Sequence, residues 1–214
     1  MQRTLEPELL DSLPHDHPDA LHNRRDLRLT NRVLGYHRWF VRNLPRIVQA
    51  GEPILELGAG CGELGLRLGR AGLTVDGLDL WPRPHDWPAA RAWHVADLRT
   101  FAGYAAYPVV IANLVLHQFP ASDLAGLGRR LRETCRVVVA LEPARRRMSQ
   151  VLFRAIAPLL GANHVSLHDA HVSIGSGFRD DELAVVLGID SDDWDVQCTT
   201  TTAGAYRLVA IRSR

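Results

Sequence analysis

A cluster of glycines between a predicted strand and a predicted helix is the feature that most limits what this chain can fold into. Residues 54–57 are apolar except for one acid and predict a strand, whereas residues 63–71 have helical periodicity. Glycine permits a tight turn and lets a ligand come close to the backbone. The stretch therefore predicts a strand, a ligand-binding turn and a helix, and the residues of the turn include Gly58, Ala59, Gly60 and Gly62.

Short apolar runs alternate with helical patterns through the rest of the chain. This alternation is typical of βαβ units around a parallel sheet. Two strand-like runs at 194–200 and 205–211 stand close together around Gly204, which indicates a closing antiparallel pair. The other predicted strands are 74–80, 92–95, 109–114 and 137–141, and a helix is predicted at 122–132.

The segments outside this alternation give weaker patterns. Residues 1–30 are polar and contain three prolines, so we expect loose or short helical structure there. Apolar residues recur every three or four positions across residues 31–50, which predicts an amphipathic helix interrupted near Pro45. A second amphipathic helix is predicted at 145–160, where it either packs on the sheet or forms a wall of an apolar substrate pocket.

The basic residues exclude several chemistries. All 25 residues counted as Lys and Arg are arginine. A chain without lysine forms no Schiff base, which excludes pyridoxal-phosphate and Schiff-base aldol enzymes, and it has no Walker-A lysine. The formal net charge of +1 gives no reason to expect a nucleic-acid partner.

The cysteine count and the hydropathy of the chain indicate the cellular compartment of the protein. Three cysteines are too few for a disulfide framework or a zinc site. The N-terminal residues lack the apolar core of a secretion signal. No apolar run reaches the roughly 18 residues that cross a bilayer. We therefore expect a cytoplasmic protein with no integral membrane segment.

The glycine turn alone is compatible with two cofactor classes. Gly60, Gly62 and Gly65 fit the spacing of the dinucleotide fingerprint, and Asp79 follows about 20 residues later. Glu56, however, ends the strand just before the turn. A carboxylate there disfavours a pyrophosphate and suits a cationic amino-acid ligand. An NAD-dependent oxidoreductase is accordingly kept as an alternative.

The order of the motifs adds a resemblance to this picture. The pattern Glu-x-Gly-x-Gly-x-Gly at 56–62 resembles motif I of the class I S-adenosylmethionine-dependent methyltransferases. The later motifs of that family have similar stretches in this chain, in the same order, at residues 75–80, 95–98, 109–117 and 137–143. The resemblance covers roughly residues 50–212. It implies an α/β fold: a Rossmann-like seven-stranded, mostly parallel sheet with an antiparallel last strand, helices on both faces and an N-terminal helical cap.

The resemblance also implies the cofactor, S-adenosyl-L-methionine, and the residues that hold it. Asp79 would accept hydrogen bonds from both ribose hydroxyls, and Asp97 would meet the adenine amino group. Trp81 would pack on the adenine face, unless it is a core residue. The predicted cofactor-binding set is Tyr36, Glu56, Gly58, Ala59, Gly60, Gly62, Asp79, Leu80, Trp81, Asp97, Leu98 and Asn113.

The residues after the fourth predicted strand narrow the chemical class of the methyl acceptor. Enzymes of this family that methylate exocyclic amines carry Asn/Asp-Pro-Pro-aromatic there, whereas this chain has Asn113 followed by Leu-Val-Leu. The resemblance therefore implies the small-molecule branch, with transfer to oxygen or carbon of a small apolar or aromatic metabolite of the quinone or polyketide type. Such a transfer needs mainly proximity and alignment, and a base helps when the acceptor is a hydroxyl or acidic carbon.

Three histidines are the predicted catalytic residues. His117 follows the fourth predicted strand, and imidazole titrates near neutrality; a loop or capping histidine is the alternative. His168 and His171 belong to a group with His164 and Asp169 that has metal-ligand residue types. The group lacks a recognisable zinc pattern, so no metal is predicted. The Gly and Ser residues at 173–177 favour an ordered loop over the substrate.

The expected organisation follows from the resemblance. Residues 1–50 form an N-terminal helical cap segment, and residues 51–214 form the cofactor-binding domain with a substrate-covering insert at about 145–190. The expected partner is a small-molecule substrate, and the protein is expected to be a monomer or homodimer. A non-catalytic methyltransferase-like binding protein is a further alternative, because the motifs predict cofactor binding rather than turnover.

Overall fold

The computed structural model describes residues 1–14 and 17–213. In these ranges seven strands form one sheet in the order β3-β2-β1-β4-β5-β7-β6. Neighbours from β3 to β5 are parallel, and β7 is antiparallel to both β5 and β6. This confirms the predicted sheet. The strands are β1 (Pro53–Leu57), β2 (Thr74–Asp79), β3 (Trp93–Val95), β4 (Val109–Asn113), β5 (Val137–Pro143), β6 (Trp194–Thr200) and β7 (Ala205–Arg212).

Helices cover both faces of the sheet and form two apolar cores. One core includes side chains of α2 and α3, and the other includes side chains of α4 and α7. On β1 the alternation of the strand sends Leu55 and Leu57 to the second core, and Ile54 to the first. The helices are α1 (Pro18–Val33), α2 (Tyr36–Ile47), α3 (Glu63–Arg70), α4 (Ala121–Thr134), α5 (Arg147–Ile156), α6 (His164–Ser176) and α7 (Glu182–Leu187).

The N-terminal part is more helical than the sequence pattern predicted. Helix α1 begins with Pro18 in its first turn, and the His17 ring accepts a hydrogen bond from the Asp19 amide over 3.2 Å. Proline in the first turn lacks only an amide hydrogen that would be unpaired anyway. The break between helices lies at Gly35, where φ is 69°. Pro45 lies inside α2 rather than interrupting it.

The prediction of a loop over residues 173–177 was wrong, because α6 continues through Ser176. Its start is capped by Asn163, whose side chain accepts a hydrogen bond from the Ser166 amide over 2.9 Å. The glycines serve close packing instead of a loop. A Cβ on Gly177 would lie 2.2 Å from the Pro143 carbonyl oxygen. The N-terminal segment also hydrogen-bonds here, from the Thr4 amide to the Gly175 carbonyl.

Candidate active site at the carboxyl edge of the sheet

The turn after β1 places three glycines in a conformation that other residues rarely adopt. Gly58, Gly60 and Gly62 have φ of 60°, 57° and 74°. A Cβ on Gly58 would lie 2.5 Å from Val115, whereas the space around Gly60 is open. The Gly62 amide closes the turn by donating to the Ala59 carbonyl over 2.8 Å. Glycine is therefore required by conformation, and at Gly60 the backbone stays exposed.

Two tryptophans pack against glycines beside this turn. A Cβ on Gly62 or Gly65 would collide with the Trp87 ring, at 2.7 and 2.6 Å. Trp93 covers Gly77 in the same way, at 2.5 Å. The two indoles meet edge to face, with ring centroids 5.0 Å apart. The absence of side chains at these glycines thus leaves room for the two indoles, which pack beside the turn.

Asp79 ends β2 and joins two loops. Its carboxylate accepts hydrogen bonds from the Gly60 amide at 2.7 Å and from the Trp81 amide at 2.9 Å. An ionised carboxylate has about four acceptor positions, so two remain for a ligand. The strand order reverses between β1 and β4, and ligands of open α/β sheets bind at that point, at the carboxyl ends of the strands.

Glu56 lies beneath the turn and is buried, with 3% of the residue exposed. Its Oε2 has no hydrogen-bond partner among the described residues. Burial raises the pKa of Glu56 to about 8, and the charge of Asp79 adds to the rise, although a hydrogen bond from the Gly65 amide opposes it. A buried acceptor without a donor destabilises the ligand-free fold. A cationic group next to Glu56 would supply the missing partner.

The predicted adenine contacts lie at the ends of β2 and β3. Leu80 and Trp81 are 69% and 45% exposed, so Trp81 is not a core residue. The Asp97 carboxylate is held by Arg99, whose Nη2 lies 2.6 Å away, and this hydrogen bond lowers the pKa of Asp97. Leu98 is buried in the core. The structure therefore offers an apolar surface beside an ionised acceptor.

A row of side chains crosses β4, β5 and β7 on the α2 side of the sheet. The register aligns Asn113 with Leu141 and Leu141 with Arg207. Asn113 Oδ1 and Arg207 Nε are buried without partners among the described residues. Tyr36 is also buried, and burial raises its pKa to about 12 against the opposing charge of Arg207. Arg207 was not predicted from sequence, since a single arginine within a predicted strand belongs to no motif.

Helix α1 crosses this edge as a cover. The face that it turns to the sheet is polar, with residues spaced at i, i+4 and i+7. Its other side packs on α6, where Asn23 donates to Asp169 over 3.2 Å. The contacts with the edge are Arg24 over the Trp81 ring at 5.7 Å, Arg28 with Glu63 at 3.7 Å, and Asn31 with Asn113 at 3.3 Å.

His117 stands in the turn Leu116–Gln118 after β4 and is buried. Its Nδ1 lies 2.6 Å from Glu142, and its Nε2 lies 3.4 Å from Glu8. Burial favours the neutral ring, but the hydrogen bonds and charges of Glu142 and Glu8 prevail and raise the pKa of His117 to about 9. A cationic imidazole has no lone pair for a proton. These two carboxylate contacts favour a structural role for His117, and its predicted base role stays a prediction.

The carboxylate of Glu142 organises the same turn. It accepts hydrogen bonds from three consecutive amides, of Val115, Leu116 and His117, at 3.2, 2.9 and 3.3 Å. The residue itself is fully buried at the end of β5. Glu142 was not among the predicted site residues. The available signal was a charged residue inside an otherwise apolar buried strand, which implies a partner.

His168 and His171 lie away from the glycine turn. Both are exposed on α6 and line a groove of about 310 Å³ between α5 and α6. His168 Nδ1 contacts Asp169 at 3.1 Å, and the His171 carbonyl accepts from Gln150. Because α6 is a helix, the expected loop over the substrate is absent from this part of the described chain. The described residues also contain no cluster of three or more metal-ligating side chains.

Comparisons with known proteins support the fold. No family profile and no curated protein sequence matches the chain, whereas many solved structures do. The plantazolicin methyltransferase BpumL in complex with SAH aligns with a TM-score of 0.71 and 12% identity, over 96% of this chain and 93% of its own. The chain has the methyltransferase fold. No helix in the described ranges is long and apolar enough to cross a membrane.

Two further structures show the same methyltransferase fold at similar distance. The magnesium protoporphyrin IX methyltransferase ChlM from Synechocystis PCC 6803, with bound SAH, has a TM-score of 0.53 and 18% identity, covering 86% of this chain and 83% of its own. The pyocyanin biosynthetic protein PhzM has a TM-score of 0.62 and 18% identity. This chain covers 62% of PhzM, so it spans about three fifths of that protein.

Proposed function

We propose that the chain is an S-adenosylmethionine-dependent methyltransferase that acts on oxygen or carbon of a small apolar or aromatic metabolite, of the quinone or polyketide type. The observation that carries the proposal is the pair of carboxylates around the glycine turn. Asp79 is half-buried with acceptor positions to spare, and Glu56 is buried with an unpaired oxygen. S-adenosylmethionine presents a vicinal diol and an ammonium group, which are donors for these two acids.

The residues fit the cofactor from end to end. Asp79 would hold the ribose hydroxyls, and Leu80, Trp81, Asp97 and Leu98 would surround the adenine. The turn from Gly58 through Ala59, Gly60 and Gly62 would face the amino-acid portion. Glu56 and the buried row of Tyr36, Asn113 and Arg207 offer charges and unpaired polar atoms for its ammonium and carboxylate groups. The cofactor, when bound, supplies a methyl group on a sulfonium that a nucleophile can attack.

The chain's own contribution to the reaction would be binding and alignment. The carboxylates of Glu142 and Glu8 favour the protonated form of His117, and His168 and His171 line a different groove, so a base role for these three histidines has no support from this arrangement. Displacement at a sulfonium proceeds with a good leaving group, so orientation alone gives large acceleration. Residues 51–214 would form the cofactor-binding domain, and residues 1–50 would cap the bound cofactor. The insert at about 145–190 would cover the methyl acceptor.

Isothermal titration calorimetry with S-adenosylhomocysteine tests the cofactor assignment. We expect binding by the native chain, and a loss of about 100-fold in affinity for Asp79→Ala, since two charge-assisted hydrogen bonds are removed. Asp86→Ala is the matched control, because Asp86 is an exposed acid in the segment that follows β2. NAD in place of the nucleoside should give no binding heat. Binding of NAD alone, or equal affinity for Asp79→Ala, would overturn the assignment.

A further inference from the structure

Helix α5 turns its apolar side away from the protein. It follows the carboxyl end of β5 and has no buried residue. Its inner side is formed by Gln150, which donates to the His171 carbonyl over 3.1 Å, and by Phe153, which lines the groove against α6. The outward residues are large and exposed: Met148 66%, Val151 63%, Leu152 48%, Ile156 49% and, in the following turn, Leu159 83%.

The charge around this face is of one sign. No Asp or Glu occurs between residues 143 and 168, a stretch that contains four arginines in a chain of net charge +1. Arg145 is buried and paired with Glu182. The exposed members are Arg146, Arg147 and Arg154. Residues 147 and 154 are seven apart, so they lie on the same side of α5, between the apolar stripe and the groove against α6, whose lining includes Arg154.

We infer that α5 and the turn after it bind the surface of an anionic lipid bilayer. Helices that lie in a membrane interface combine a large apolar face with arginines or lysines beside it. The apolar stripe, Met148 to Leu159, would enter the acyl boundary, and Arg147 and Arg154 would meet lipid phosphates. This surface contact differs from a membrane span, which none of the helices in the described ranges could form.

A second copy of the chain fits this face poorly. In a two-fold dimer the same patch meets itself, so Arg147 and Arg154 would face a patch without a single acid. Like charges placed together oppose association. The helix is ten residues long, whereas a stable interface buries about 800 Å² on each partner. A lipid surface supplies both the apolar medium and the negative charge.

The position of α5 gives the contact a use. The helix begins just after β5, at the same edge of the sheet as the glycine turn. An apolar acceptor dissolved in the bilayer could reach this edge without crossing water. This use rests on the proposed function, whereas the binding of lipid does not.

Vesicle flotation tests the inference with the intact chain. We expect the protein to float with phosphatidylcholine vesicles that contain phosphatidylglycerol, to stay unbound with phosphatidylcholine alone, and to lose binding at high salt, because exposed charges are screened. Arg147→Glu should weaken partition at least about tenfold. Arg46→Glu, on the exposed side of α2, is its control.

The apolar stripe is tested by Val151→Asp, which should also weaken partition about tenfold. Val185→Asp on α7 is the matched control, since Val185 is 50% exposed. Circular dichroism shows whether both variants stay folded. Equal binding to neutral and anionic vesicles, no effect of Val151→Asp, or an α5-dependent dimer without vesicle binding would overturn the inference. Binding of S-adenosylhomocysteine by Val151→Asp, measured in parallel, keeps this outcome separate from that of the proposed function.

Discussion

The two halves of the carboxyl edge treat their buried polar groups in opposite ways. Around the glycine turn, Glu56 and Asn113 each keep a buried oxygen without a partner among the described residues. After β4, the Glu142 carboxylate accepts from three amides and contacts His117, which meets a carboxylate at each ring nitrogen. Buried polar groups in folded proteins are normally paired. This contrast supports the proposal that the unpaired half receives the ligand, whereas the paired half stabilises the fold.

The largest effect is expected from breaking the paired half. Glu142→Ala would leave the His117 cation buried and remove the acceptor of three amides, so we expect a loss of about 3–5 kcal/mol in the free energy of unfolding. Urea denaturation measures it. Glu133→Ala, at an exposed position of α4, serves as the control and should stay close to the native value. A loss of less than about 1 kcal/mol for Glu142→Ala would mean that the network is not structural.

The unpaired half should respond with the opposite sign. Glu56→Gln removes an acid whose ionisation is opposed by burial, so we expect the ligand-free protein to gain about 1–2 kcal/mol at pH 7–8. The same change should weaken S-adenosylhomocysteine binding about tenfold, as a charged partner of the ammonium group is lost. Chemical denaturation and calorimetry give the two values, with Glu133→Gln as control. Destabilisation together with unchanged affinity would show that Glu56 is an ordinary structural residue.

The pH dependence of stability distinguishes the surroundings of His117 from those of Glu56. The pKa of His117 rises from 6.5 to about 9 on folding. Its contribution is therefore complete below pH 6.5 and is lost as the pH rises through about 9. We expect the melting temperature of the native chain to fall by about 5–10 °C more than that of His117→Gln over this interval. His85→Gln, fully exposed, should follow the native profile.

Glu56 acts in a lower window. Its pKa rises from 4.5 to about 8 on folding, so the native state is favoured below pH 4.5 and loses this advantage as the pH approaches 8. In Glu56→Gln the decline between these values should be smaller. Parallel profiles for the native chain, His117→Gln and Glu56→Gln would contradict both assignments.

The smallest effect is expected at Asp97. Arg99 pairs with Asp97 at the surface, where solvent screens the charges. Arg99→Ala should change the free energy of unfolding by less than about 1 kcal/mol. A larger change in S-adenosylhomocysteine affinity than in stability, by calorimetry and denaturation, would support Asp97 as a ligand contact. The reverse would make the Asp97–Arg99 pair part of the fold.

The unpaired half could be predicted from the sequence and the paired half could not. Gly60 and Asp79 are 19 residues apart in one strand–turn–helix–strand unit, so their spacing in the sequence is enough to predict that they meet. Glu8 and His117 are 109 residues apart, and no local pattern links them. His117 therefore looked like a free imidazole after a strand. Its two carboxylate neighbours, Glu142 and Glu8, become visible only in three dimensions.

Helices were mispredicted for a related reason. The prolines near α1 were interpreted as signs of loose structure, although Pro18 in a first turn is compatible with a helix. Gly175 and Gly177 were interpreted as loop residues, whereas they permit close contact with Thr4 and Pro143. The error at Pro18 concerns a local position in the helix, whereas the partners of Gly175 and Gly177 lie far away in the sequence.

Amide hydrogen exchange with and without S-adenosylhomocysteine tests the contrast between the two halves most directly. We expect the ligand to slow exchange at the glycine turn from Gly58 to Gly62 and at Leu80 and Trp81. The amides of Val115 to His117, already held by Glu142, should be slow in both states. Protection that appears only around His117 while the glycine turn stays unchanged, or no protection at all, would contradict the account.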